Sequence, residues 1–297
     1  MRRIGILAIS HAESIDVLLA ALARLGWVAG KTIEIVFPSP SGDDAKLACN
    51  MREILAAKVD LIVAQTRPAV FAAREATSRV PVVMGAFNGD PVKEGIAKSV
   101  QHPGGNVTGT YYDGNAAARQ RVTLVRELLP NTQHLGILMN PLSKVSMGLA
   151  EDLAETARGM GLSARLIGAG RAEEVDEAFA SAAALGLQAV ATVSGADMYS
   201  FRKNVVSAAD KYRLPTIMGS IGFPELGGLA KIGPDIPILW RKMATAHVDK
   251  ILKGATPAEL PLVGLDELEL VINMRTAERF GISVPEGMRR RAVKLVE

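Results

Sequence analysis

Short apolar runs rich in β-branched residues alternate along this chain with stretches whose apolar positions recur every three to four residues. The first kind predicts strands at Ile4–Ile9, Thr32–Phe37, Leu61–Ala64, Val82–Phe87 and Val107–Tyr111. Between them the second kind predicts helices over Ser14–Leu25 and Asp44–Ala57, and a third opened by Thr66 and Pro68, residue types suited to a helix start. The plan then repeats. Strands are expected at Leu135–Met139, Ala164–Ile167, Ala189–Val193 and Thr216–Met218, with helices over Lys144–Gly159, Ala172–Leu185 and Ser200–Tyr212.

Strands that alternate with helices through short loops favour parallel sheets built from right-handed βαβ units. Two successive series suggest two similar lobes. The last segment breaks the rhythm: Ile236–Lys253 predicts one amphipathic helix with Trp240, Ala244, Val248 and Ile251 on one side, ended by Gly254 and Pro257. A strand at Leu268–Ile272 and two short helices follow. A tail that returns after two complete series can add elements to both lobes, joining them by several crossings. The expected division is residues 1–113 plus 237–264 for one lobe and 114–236 plus 265–297 for the other, with a ligand cleft between them.

Composition narrows the function classes. A chain of 297 residues that is 48% hydrophobic and 22% charged has ample material for buried cores. The net charge is only +3, and the triplet Arg289–Arg291 reads as a solvated helix face, so no nucleic-acid partner is expected. The single Cys49 excludes an intrachain disulfide and reads as a small core residue in a helical pattern. No apolar stretch reaches the roughly 18 residues of a membrane span. The apolar part of the opening segment stops at His11 and Glu13, which reads as a first strand and not a secretory leader. An exported protein is therefore expected to have lost its leader.

Reaction chemistry is hard to find. His11, His102, His134 and His247 offer no pair at metal-ligand spacing, and there is no cysteine pair, so neither a metal nor a cofactor is expected. Gly26–Thr32 has the wrong spacing and precedes a strand, unlike a phosphate loop. Gly168-Ala169-Gly170 lacks the third glycine of a dinucleotide site, and Gly219-Ser220-Ile221-Gly222 is not a nucleophile elbow. No catalytic residue is assigned.

What remains is a set of polar, glycine-rich loops at the carboxyl ends of the expected strands, where open parallel sheets bind ligands. Their candidate ligand-binding residues are Ser10, His11, Gln65, Thr66, Phe87 and Asp90 in the first series, and Asn140, Ser194, Asp197, Gly219 and Ser220 in the second. Short side chains and helix N-terminal amides can hold a carboxylate, Asp90 or Asp197 can meet an ammonium, and Phe87 can wall the site. Each has an ordinary alternative: helix capping for the polar residues, core packing for Phe87.

The run Gly89-Asp90-Pro91-Val92, with Pro103-Gly104-Gly105-Asn106-Val107-Thr108-Gly109, resembles a signature of ABC-transporter substrate-binding proteins of the tryptophan/tyrosine type. Matches at Leu25–Lys31, Asn140-Pro141, Arg213-Leu214-Pro215, Gly227–Leu229, Gly233-Pro234-Asp235, Ile251–Gly254 and Glu269–Asn273 with Thr276-Ala277 extend the resemblance over nearly the whole chain. It implies an α/β, type I periplasmic binding protein-like fold: two Rossmann-like lobes with parallel sheets joined by three crossovers. It further implies an extracytoplasmic (periplasmic) monomer that captures a small, amino-acid-like and possibly aromatic molecule by lobe closure, then docks transiently on a membrane permease. The first loop, Ser10-His11-Ala12-Glu13, is shorter than the family's, which puts an aromatic ligand in question. Two rivals stand beside this reading. One is a cytosolic ligand sensor on the same fold, without a DNA-binding head because no helix-turn-helix precedes Ile4. The other is an enzyme, disfavoured by the small pool of acids and bases and the missing cofactor motif.

Overall fold

A computed structural model of the chain describes residues 1–9, 13–39, 44–219, 222–265 and 267–297. Strand β1 (Arg2–Leu7) and helix α1 (Glu13–Arg24) lead to β2 (Ile33–Val36), α2 (Leu47–Ala56), β3 (Leu61–Ala64), α3 (Arg67–Ala76), β4 (Val82–Asn88) and β5 (Val107–Tyr112). A second series follows: α4 (Gly114–Leu128), β6 (His134–Met139), α5 (Lys144–Gly159), β7 (Ser163–Gly168), α6 (Val175–Ala184) and β8 (Ala189–Thr192). It ends with α7 (Ala196–Lys211), β9 (Thr216–Met218) and β10 (Ala230–Gly233). The tail holds α8 (Ile236–Met243), α9 (Asp249–Leu252), β11 (Val263–Leu265), β12 (Glu269–Asn273), α10 (Met274–Arg279), α11 (Glu286–Arg291) and β13 (Lys294–Val296).

These elements form two compact units. Unit one is Met1–Asp113 with Asp235–Asp266, and unit two is Gly114–Pro234 with Glu267–Glu297. The chain thus passes from one to the other three times. The sheet of unit one runs β11-β5-β4-β3-β1-β2, and every neighbouring pair is parallel. Its two faces are both buried, which is why its strands read as unbroken apolar runs. Ile4, Ile6, Val63 and Val83 join α1 and α8 in one core layer, while Leu7, Ile62, Val82 and Met84 join α2 and α3 in the other.

Unit two carries the order β13-β12-β10-β9-β8-β6-β7, parallel throughout except where β12 runs antiparallel to β10. In both sheets the central strands follow the doubly wound pattern, 2-1-3-4 in unit one and 7-6-8-9 in unit two. The α/β class and the parallel-dominated sheets are those the sequence predicts.

Several elements depart from that reading. Helix α4 escapes it because Arg119, Arg121, Arg126 and Glu127 dilute the apolar stripe of Ala117, Val122, Val125 and Leu128. The short strands β10, β11 and β13 carry too few apolar residues to register as runs. Helix α7 starts four residues earlier than expected, at Ala196. Cys49 is exposed, not core: α2 buries Leu47, Met51 and Ile54, and a residue two places after Leu47 points the opposite way.

The single helix expected over Ile236–Lys253 contains a π-helical turn at Ala244–Val248. That turn widens the buried stripe enough to take in His247, which is fully buried. Its Nε2 lies 2.8 Å from the Pro261 carbonyl, so a neutral ring with the proton on Nε2 donates there, and Nδ1 is buried with no partner among the described residues. Burial holds its pKa below the usual value of 6.5; the Pro261 contact opposes this and nearby Lys250 adds to it. The unfolded chain therefore takes up a proton near pH 6.5 that the folded chain refuses, so stability is full above that value and falls as the pH drops below it. Urea midpoints at pH 7.5 and 5.5 should fall more for the wild type than for His247→Gln; equal slopes would show that His247 does not titrate on unfolding.

Candidate functional site

In unit one the adjacent parallel strands β4, β3 and β1 present their carboxyl ends side by side. Ser10 and His11 lie outside the described residues. Gln65 follows β3 directly, and its backbone N–H donates to the Leu7 carbonyl at 2.9 Å, fixing it beside the end of β1. Its side chain is 7% exposed, yet neither amide atom has a hydrogen-bond partner among the described residues. Each such buried orphan costs ~1–3 kcal/mol. One strand over, the buried Asn88 Oδ1 at the end of β4 is orphaned as well. Thr66 is the N-cap of α3, accepting from the Ala69 N–H at 3.4 Å.

Phe87 is 1% exposed and packs edge-on against Phe71, with centroids 6.2 Å apart, so its ring belongs to the core of unit one. Asp90 closes a turn: its Oδ1 accepts from the Lys93 and Val92 N–H groups at 3.1 and 3.0 Å, and the Lys93 ammonium lies 3.5 Å away. Chiefly the Lys93 amide, then that of Val92, holds its carboxyl below the usual range. The Arg67–Glu94 pair, at 2.7 Å, ties the same loop to the start of α3. Asp90 and Glu94 are thus engaged in building the loop.

In unit two the equivalent ends are those of β6, β8 and β9, again adjacent. The register sets Leu138 beside Thr192, so Asn140 and Ser194 follow at the same level. Asn140 is buried; its N–H donates to Ser146 Oγ at 2.9 Å, and its Oδ1 accepts from the Leu142 N–H at 2.9 Å. Asp197 stands in the first turn of α7. Its Oδ1 accepts from the Met198 N–H at 2.8 Å and folds back over Gly195, where a Cβ would come within 2.3 Å of it. Burial pushes its pKa above 3.8, against the pull of the Met198 amide and the Asn140 side chain. Gly219 follows β9, and Ser220 lies outside the described residues.

One residue absent from the sequence-level set is Arg121 of α4, 2% exposed. Its guanidinium donates through Nη1 to the Thr192 carbonyl at 2.6 Å and through Nη2 to Ser194 Oγ. Gly219 makes room for it: a Cβ there would stand 2.9 Å from Ser194 Oγ and 3.2 Å from Nη2. The signal was available, since an arginine inside the apolar stripe of an amphipathic helix needs a reason to be buried. No group of histidine, cysteine and carboxylate side chains able to hold a metal ion occurs among the described residues.

The geometry is that of two sheets, each offering polar strand-end groups among the described residues. Residues 6–296 match the family of ABC transporter substrate binding proteins. The chain belongs to that family. Among relatives of this substrate-binding family, a Clostridioides difficile (strain R20291) protein named tyrosine-binding protein is 28% identical over 280 residues, covering 93% of this chain and 79% of that one. The crystal structure of an ABC domain from Streptococcus pneumonia in complex with L-Trp is 27% identical, covers 99% of both chains and superposes with a TM-score of 0.86. A conserved domain protein from Vibrio cholerae O1 is 26% identical over 99% of both chains, with a TM-score of 0.87. The substrate-binding fold is of the type I periplasmic class.

Proposed function

We propose that this chain is the substrate-binding component of an ABC import system, that it captures an aromatic amino acid outside the cytoplasm, and that it hands the molecule to a membrane permease. The observation that carries the reading is the likeness, over 99% of both chains, to a structure that holds L-Trp. The relative named for tyrosine binding points the same way. No helix of the described residues is long and apolar enough to cross a membrane, consistent with a component that is not itself the permease. On this reading strand-end residues take part in capturing the ligand. Closure of the units is driven by contacts that exist only in the liganded form.

Gln65 supplies unit one's polar contact: a ligand group would satisfy an amide that otherwise stays buried and unpaired. Its two roles oppose each other. Gln65→Leu removes the orphan without changing the volume much, so it should raise the urea midpoint of the ligand-free protein by the equivalent of about 1 kcal/mol. The same change should weaken ligand binding by about fivefold or more. A thermal-shift screen of L-tryptophan, L-tyrosine and L-phenylalanine against sugars and organic acids comes first, because a ligand at about 100 times its Kd stabilises the native state by ~2.7 kcal/mol. A melting point moved by sugars or acids alone would refute the amino-acid reading; a Gln65→Leu variant with unchanged affinity would refute only the role of Gln65.

A further inference from the structure

We propose that Arg121 is a positioning residue which converts Ser194 into a dedicated hydrogen-bond donor for the ligand's carboxylate. A serine oxygen carries one proton and can accept, while a guanidinium only donates. Because Arg121 Nη2 donates to Ser194 Oγ, the Ser194 proton must be given to a different acceptor. No acceptor for it occurs among the described residues, and the side chain is only half-buried at the carboxyl end of β8.

The second guanidinium arm is anchored on the Thr192 carbonyl, which fixes the charge beneath the strand end and holds it away from the loop surface. Gly219 keeps that approach open, since any side chain there would press on both Ser194 Oγ and Nη2. A buried guanidinium that donates to the hydroxyl oxygen leaves its proton for a ligand and favours an anionic acceptor. Charge-assisted hydrogen bonds of this kind are about twice as strong as neutral ones. The assignment rests on the amino-acid reading above and adds which group reads the acid end of the molecule.

The test compares L-tryptophan with L-tryptophanamide, and L-tyrosine with L-tyrosinamide, by calorimetry on the full chain. The amides keep the ring and the ammonium and lose only the negative charge. Wild type should prefer each acid to its amide by about tenfold or more. Ser194→Ala and Arg121→Gln should shrink that preference to within about threefold, and the double variant should lose no more than either single variant, because one residue acts through the other. Ser194→Thr, which keeps the hydroxyl, should retain the preference. Should Arg121→Gln fail to fold, the Ser194 pair decides alone.

An acid-to-amide preference that survives Ser194→Ala overturns the assignment, as does additivity in the cycle. Wild type that takes up neither acid overturns the amino-acid reading and this assignment together. Wild type that binds both acids no better than their amides overturns only the assignment.

Discussion

Gly109→Ala should destabilise unit one by at least about 3 kcal/mol, a large part of the ~5–15 kcal/mol that holds a typical domain together. Gly109 lies in β5 with φ at +133°, a region side chains rarely adopt. A Cβ there would stand 2.4 Å from the backbone nitrogen of Met84 and 2.5 Å from its oxygen. Met84 is opposite Gly109 in the β4–β5 pairing, so the clash falls on ladder backbone that cannot swing aside. Both costs add: the strained dihedral and the displacement of β4. Gly105→Ala is the control, because nothing lies within 4 Å of a Cβ there; it should stay within about 0.5 kcal/mol of wild type. Urea unfolding of both variants is the measurement, and a Gly109→Ala midpoint equal to that of Gly105→Ala would refute the steric argument.

That contrast also explains what the signature from Pro103 to Gly109 does. Asn106 donates its side-chain amide to the carbonyls of Thr77 and Val80, and Thr108 Oγ donates to the Leu260 carbonyl at 2.7 Å. The motif fixes the start and register of β5 between β4 and β11. A sequence resemblance strong enough to identify the family can therefore rest on residues that build the scaffold.

Legibility followed the physics of periodicity. The central strands of both sheets were readable because strands buried on two faces become continuous apolar runs, as at Leu61–Ala64 and Ala189–Thr192. Strands β11 and β13 were not, because a three-residue edge strand such as Lys294–Val296 needs no apolar run. The loops expected to bear ligand contacts were located by strand ends alone. What each side chain does there depends on local hydrogen bonding, which periodicity does not encode. Asp90 and Asp197 look alike in sequence, each following a glycine-bearing strand end. Asp90 spends its carboxylate on two turn amides and a lysine, while Asp197 is held by backbone amides at the start of α7 and by the Asn140 side chain, with no lysine beside it among the described residues. Arg121 was hidden for the converse reason: its importance comes from where α4 packs, and α4 itself was masked by its own charges.

Asp197 carries the largest effect expected on binding. On the proposed reading it faces the ammonium of the amino acid, and removing one partner of a buried, hydrogen-bonded charge pair costs ~2–5 kcal/mol, about 30-fold or more in affinity. Asp197→Asn keeps the shape and the contact with the Met198 N–H while deleting the charge, so it isolates the electrostatic part. The pH dependence provides a second, independent reading. In the ligand-free protein burial raises the Asp197 pKa above 3.8. A ligand ammonium favours the ionised carboxylate and lowers that pKa, so binding expels a proton and affinity declines as the pH falls through the ligand-free value. The stability of the ligand-free protein has the opposite sign: a folded pKa above the unfolded one means the ionised side chain costs stability at neutral pH. Asp197→Asn should therefore stabilise the empty protein while weakening its grip on L-tryptophan, and it should flatten the acid limb of the affinity profile. Calorimetry from neutral to mildly acid pH decides. A wild-type profile already flat in that range, or an Asn variant that binds as tightly as the native chain, would place the ammonium elsewhere.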